Sequence, residues 1–99
     1  MKPNYQKLTE LVSPARIAAM NFDVPTPVSV KVSPKVDHSG DDSLEVDIVF
    51  PEGTPYAVFE NGKVTKVVQW VRRMLREETE GELFPYTNVS IVNEAPVCH

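Results

Sequence analysis

The chain has 99 residues, enough for one core between two packed layers and too few for three. Apolar residues make up 41% and charged residues 24%, ordinary globular usage that excludes a chain too polar to bury a core. The net charge of −4, from 10 basic and 14 acidic residues, excludes a protein that works mainly by gripping phosphate backbones, while leaving room for a local basic patch.

The single cysteine, Cys98, cannot close an intramolecular disulfide, so the chain does not read as a secreted, stapled scaffold. No run approaches the roughly 18 apolar residues of a membrane span. Residues 17–20 are too short an apolar stretch for a signal peptide, and Arg16 precedes them. The expectation is one soluble, cytoplasmic domain over residues 1–99, with no membrane contact and with residues 93–99 as a flexible tail. The 9 prolines fall mostly between elements and act as punctuation.

Residues 4–12 read as a short helix, with Tyr5, Leu8, Leu11 and Val12 at helical spacing. Ser13-Pro14 has the form of an N-cap followed by proline at the first helical position, so a further turn or two through Met20 follows, as one kinked helix or two short ones. Val28, Val30 and Val32 alternate with polar residues in a half-buried strand, and Pro34 places that strand at a sheet edge or at a bulge. Residues 37–43 form a polar turn. Leu44, Val46, Ile48 and Phe50 then alternate as a second strand, giving an antiparallel hairpin.

Residues 56–59 have two readings, a short strand or an apolar lead-in packed on the following helix. Asn61-Gly62 is also a good type I′ hairpin turn, which would pair residues 56–60 with residues 63–67. The helix is preferred over residues 61–81, because its pattern continues for about four turns and ends on Gly81, suited to the left-handed position after a helix. Val64, Val67, Val68, Val71, Met74 and Leu75 fall on one face of it, and Lys66, Gln69, Arg73, Arg76 and Glu77 on the other. Residues 86–92 form the last strand, with Thr87, Val89 and Ile91 on one face. The fold class is therefore α+β, two-layer, in the order α-β-β-α-β. The sheet is small and mainly antiparallel, with three strands, or four if residues 56–59 are extended, and its helices on one face. If the last strand runs parallel to a neighbour, the long helix is its crossover.

The candidate partner-binding residues are Trp70, Lys66, Arg72, Arg73 and Arg76. With Lys63, the four basic residues of this set supply half of the 10 basic residues in the chain, with no acid between positions 63 and 76. They could meet phosphate or an acidic partner, or form a solvated helix face answered by Glu77, Glu78, Glu80 and Glu82. Trp70, at the margin of the apolar stripe, is read first as core and second as an exposed anchor. Asp37, His38, Asp41 and Asp42 could offer ligands to a cation, but the spacing is not that of a calcium loop, and these are ordinary turn residues. Cys98 and His99 are too few to close a zinc site. No nucleotide-binding glycine motif, nucleophile elbow, zinc-protease motif or C-x-x-C is present. The expectation is a non-catalytic protein without catalytic, metal-binding or cofactor-binding residues.

Two readings of function follow. The first is a protein-interaction or regulatory module, a complex subunit or homodimer, whose sheet keeps an open edge and an uncovered face with Val49, Val58 and Val92 adding apolar surface there. The second comes from a resemblance. The α-β-β-α-β order resembles the KH-like arrangement of helices on a three-stranded sheet, which implies nucleic-acid binding through the basic face of the helix at residues 61–81. The resemblance is in element order alone, because the G-x-x-G that clamps the nucleic-acid backbone is absent from the chain.

Overall fold

A computed structural model describes residues 4–93. The elements are α1 (Tyr5–Leu11), α2 (Pro14–Ala19), β1 (Ser29–Val36), β2 (Asp42–Phe50), α3 (Ala57–Glu60), α4 (Lys63–Glu78) and β3 (Pro85–Ile91). With neighbouring helices grouped, this is the expected α-β-β-α-β order. Asn4 caps α1 by accepting the Lys7 amide at 3.1 Å. Ser13 caps α2 by accepting the Arg16 amide, with Pro14 first in the helix. Ser13 is extended, as a residue before proline must be, and this separates two helices rather than kinking one.

The sheet order is β1-β2-β3. β1 and β2 pair antiparallel, with Val30 opposite Ile48 and Val32 opposite Val46. β2 and β3 pair parallel, with Ile48 opposite Val89, and α4 is the crossover between them. The sheet is thus mixed, with one pairing of each kind, and not mainly antiparallel as the hairpin alone suggested. Val30, Val32, Leu44, Val46, Ile48, Phe50, Val89 and Ile91 turn to the helix layer and are buried. They meet Val64, Val67, Val68, Val71 and Leu75 of α4, with Leu8, Val12 and Ile17 closing the core under α1 and α2. Each large side chain buried there contributes roughly 1.5–3 kcal/mol.

Residues 56–59 take the second of their two readings, an apolar lead-in packed on the helix layer: α3 occupies most of them, and the sheet has three strands among the described residues. Val58 is buried in the core, and Phe59 stacks edge-on against Phe50 with centroids 6.0 Å apart. The apolar residues there serve the helix layer, so Val58 adds nothing to an outer surface. Asn61-Gly62 makes no hairpin. Gly62 takes φ +81° at the N-terminus of α4, and Asn61 Oδ1 accepts the Lys63 amide at 3.1 Å. At the other end of α4, Glu80 takes the left-handed position directly after the cap, with φ +56°, and Gly81 behind it is left-handed as well, with φ +78°. Thr79 is the cap, the Glu80 amide reaches the Glu77 carbonyl, and the Gly81 amide donates to the Arg76 carbonyl at 2.7 Å. The helix ends one residue before the place its glycine marks. Of the expected tail, Asn93 donates through Nδ2 to Glu52, and residues 94–99, Cys98 and His99 among them, lie outside the described residues.

Candidate interaction surface

The outward face of α4 follows from its spacing. Lys66, Gln69, Arg73, Arg76 and Glu77 are all exposed, as the apolar stripe opposite them requires. Arg72 is half-buried beside the sheet, and its Nε donates to Thr87 Oγ1 at 3.4 Å. Arg72, Arg73 and Arg76 line a shallow groove of about 510 Å³ together with Glu77 and Glu80. Arg73 and Glu77, and Arg76 and Glu80, stand four residues apart, so the strip is mixed in sign and not continuously positive. Lys63 is turned away from it, paired with Asp23. That hydrogen bond, and then the ammonium charge itself, hold the Asp23 carboxyl below the ordinary aspartate range.

Trp70 is 7% exposed and packs edge-on against Phe22, with centroids 5.9 Å apart. Positions 70 and 72 lie about 200° apart on a helix, so Trp70 faces the loop after α2 while Arg72 faces β3. The structure therefore does not bring the indole and the arginines to one surface.

The sheet face away from the helices is polar and largely satisfied within itself. Lys31 stands opposite Asp47, and Ser33 opposite Glu45. Asn88 Nδ2 donates to Glu45 and to Asp47, each at 3.2 Å. Lys35 lies over the Tyr86 ring at 4.7 Å, and Phe84 packs edge-on to that ring at 4.8 Å. Val49 and Val92 are half-buried on this face and do not make it apolar.

The two sheet edges differ. In β1, Val32 turns its N–H away from β2, and Thr9 Oγ1 of α1 accepts it at 3.3 Å. Pro34 shares that parity, so the edge lacks an N–H there as well. Lys31 and Lys35 flank it with charge. In β3, the residues whose backbone faces β2 are the even ones, as shown by the Leu44 amide on the Phe84 carbonyl and the Val92 amide on the Phe50 carbonyl. Thr87, Val89 and Ile91 therefore point their N–H and C=O groups outward. Among the described residues nothing bonds to those groups.

In the polar turn, Asp37 Oδ1 accepts the amides of Ser39 at 2.9 Å and Asp41 at 3.0 Å, an intraturn role. Asp37, Asp41 and Asp42 border a wider cleft of about 950 Å³ together with Arg76, Tyr5 and Phe84. Among the described residues no group of three or more His, Cys, Asp or Glu side chains converges as metal ligands would. Among the same residues no helix is long and apolar enough to cross a membrane. Compared with known proteins, the chain matches no family model and no curated protein.

The sequence reading expected an open sheet edge but did not place it on β3, and it missed the Thr9 contact. Pro34 and the alternating lysines do mark β1 as an edge. Nothing local marks β3, because strand order is a tertiary property.

Proposed function

We propose that this chain is a small, non-catalytic protein-interaction module, acting as a complex subunit or a homodimer without a cofactor. The observation that carries this reading is the β3 edge, where the outward backbone groups of Thr87, Val89 and Ile91 bond to nothing among the described residues while the β1 edge is blocked. Backbone hydrogen bonding to an extended segment gives such an edge its affinity, and the side chains beside it set the choice of partner. A KH-like nucleic-acid surface draws less support. It would place bases on aromatic rings beside the arginines. Trp70, the aromatic residue of α4, is buried on the other flank, and Glu77 and Glu80 share the arginine groove.

The test is titration of the full chain into a labelled short RNA at low and at high salt, followed by fluorescence anisotropy. The module reading expects no change in anisotropy. Binding that disappears at high salt and is abolished by Arg73→Glu would replace it with the nucleic-acid reading.

A further inference from the structure

We propose that the groove on the outward face of α4 is a docking site for an acidic segment of a protein partner, whose carboxylates are taken by Arg72, Arg73 and Arg76. The proposal rests on the interaction-module reading and names the chemistry of the partner. Its ground is where the positive charge of the chain is gathered. Positions 63–76 carry Lys63, Lys66, Arg72, Arg73 and Arg76, half of the 10 basic residues, and no acid. Lys63 is held by Asp23. The three arginines line one shallow groove of about 510 Å³. Arg73 and Arg76 are exposed as whole residues. Arg72 is half-buried, and its Nε donates to Thr87 Oγ1 at 3.4 Å. That bond uses one of the five guanidinium donors and holds the side chain beside the sheet. A fork fixed in advance loses less freedom when it meets a ligand.

Glu77 and Glu80 share the groove, and they decide which anion it takes. Each follows an arginine by four residues, acid after base, which is the weaker order for an ion pair along a helix. The ion pairs among the described residues are Lys7 with Glu78 and Lys63 with Asp23, so neither glutamate closes onto an arginine there. A carboxylate from outside meets an arginine fork with two parallel hydrogen bonds, a stronger contact than an exposed pair on the same helix. A nucleic acid suits the groove less well. Its phosphates follow one another every few ångströms, and Glu77, Glu80 and the net charge of −4 repel so dense a run. A protein segment spaces its carboxylates singly and can turn uncharged or basic residues toward the glutamates. The shallow form of the groove points the same way. A small ligand needs a concave site that buries most of its surface, whereas a segment is held by several side chains along an open face. Gln69, one turn before Arg73, lengthens that face with an amide. The attraction acts between exposed charges, so salt weakens it.

The experiment is a titration of the isotope-labelled full chain with hexaglutamate, followed by NMR through the backbone amides and the arginine Nε–H signals, at low and high salt. A short RNA is titrated in parallel. The expected result is a saturable shift of the Arg72, Arg73 and Arg76 Nε–H signals with hexaglutamate, smaller at high salt, while the signals of Arg16, Lys31 and Lys35 stay in place. Arg73→Gln combined with Arg76→Gln should remove the response and leave the circular dichroism spectrum unchanged, because both side chains are exposed. Lys31→Gln, on the far face of the sheet, should keep it. No shift at the three arginines up to millimolar hexaglutamate overturns the proposal. Shifts of equal size at Arg16, Lys31 and Lys35 also overturn it, since they show attraction to positive charge anywhere on the chain. Should the double variant lose its fold, the map of shifts on the unaltered chain still decides. A chain that ignores both hexaglutamate and RNA defeats this docking site and leaves the module reading standing, whereas RNA that shifts the same arginines more strongly, and does so only at low salt, defeats that reading as well.

Discussion

Glu80 holds a backbone conformation that its side chain opposes. Its φ of +56° brings Cβ close to its own carbonyl oxygen, at a cost of about 1–2 kcal/mol for an L-residue. The position also sits at the negative end of the α4 dipole, where a carboxylate is unfavourable. Glu80→Gly relieves both and gives back part of the gain through the extra freedom of glycine in the unfolded chain. The expected outcome is a stabilisation of about 0.5–1 kcal/mol, read as a higher urea midpoint with an unchanged slope. A lower midpoint would mean that the Glu80 side chain supports the turn. Asp23 is a second residue-scale case. It takes φ +61°, which asparagine also tolerates, so Asp23→Asn keeps the turn and removes the charge facing Lys63. Because the folded carboxyl is held below its ordinary range, its contribution is present above that range and is lost as pH falls through the lower, folded value. The melting temperature of Asp23→Asn should therefore lie slightly below that of the parent at neutral pH. The two curves should converge in strong acid, and a constant gap would show that the charge is not the cause.

Among the elements, α1 has the least obvious role. It does not merely cover the core with Leu8: Thr9 reaches across to the β1 edge. Its Oγ1 donates to the Tyr5 carbonyl at 2.8 Å and accepts from the Val32 amide at 3.3 Å. Thr9→Val keeps the shape and deletes the acceptor, at an expected cost of about 1 kcal/mol. The Val32 amide should then exchange markedly faster with solvent, and unchanged exchange would remove this contact from the account. Nothing in the sequence marks Thr9, because its partner is 23 residues away and its own helix would form without it. The elements that were legible are those with a local signature. The Asn4 and Ser13 caps, the alternation of β1 and β2, and the stripe of α4 each follow from neighbours within about two turns. The α3 segment, YAVFE, was ambiguous because so short an apolar run lacks a period long enough to separate helix from strand. The end of α4 was misplaced by one residue because Gly81 suits the left-handed position better than the Glu80 that takes it. The basic residues of α4 were legible as a cluster. Their separation from Trp70 was legible only once the buried face was fixed, and an open edge was legible without the strand order that puts β3 there.

At the scale of the whole molecule, two layers mean that α4 has no second surface to retreat to. Its stripe supplies five of the buried side chains that meet the sheet, Val64, Val67, Val68, Val71 and Leu75, so damage there does not remain local. Val68, 8% exposed, shows the consequence. Val68→Asp puts a carboxylate into the layer between helix and sheet, and burying a charge there costs several kcal/mol, which Arg72 one turn along the helix offsets only in part. That is a large share of the roughly 5–15 kcal/mol that holds a domain together. The variant should lose its cooperative thermal transition at neutral pH and regain some structure in acid, where the new carboxyl is protonated. Arg73→Glu is the matched control, on the same helix and facing water. It should change folding stability by no more than about 0.5 kcal/mol. A folded Val68→Asp with a normal transition would mean that α4 is turned otherwise on the sheet. In that case Arg72 would not face Thr87, and the assignment of the outward residues of α4 would fall with it.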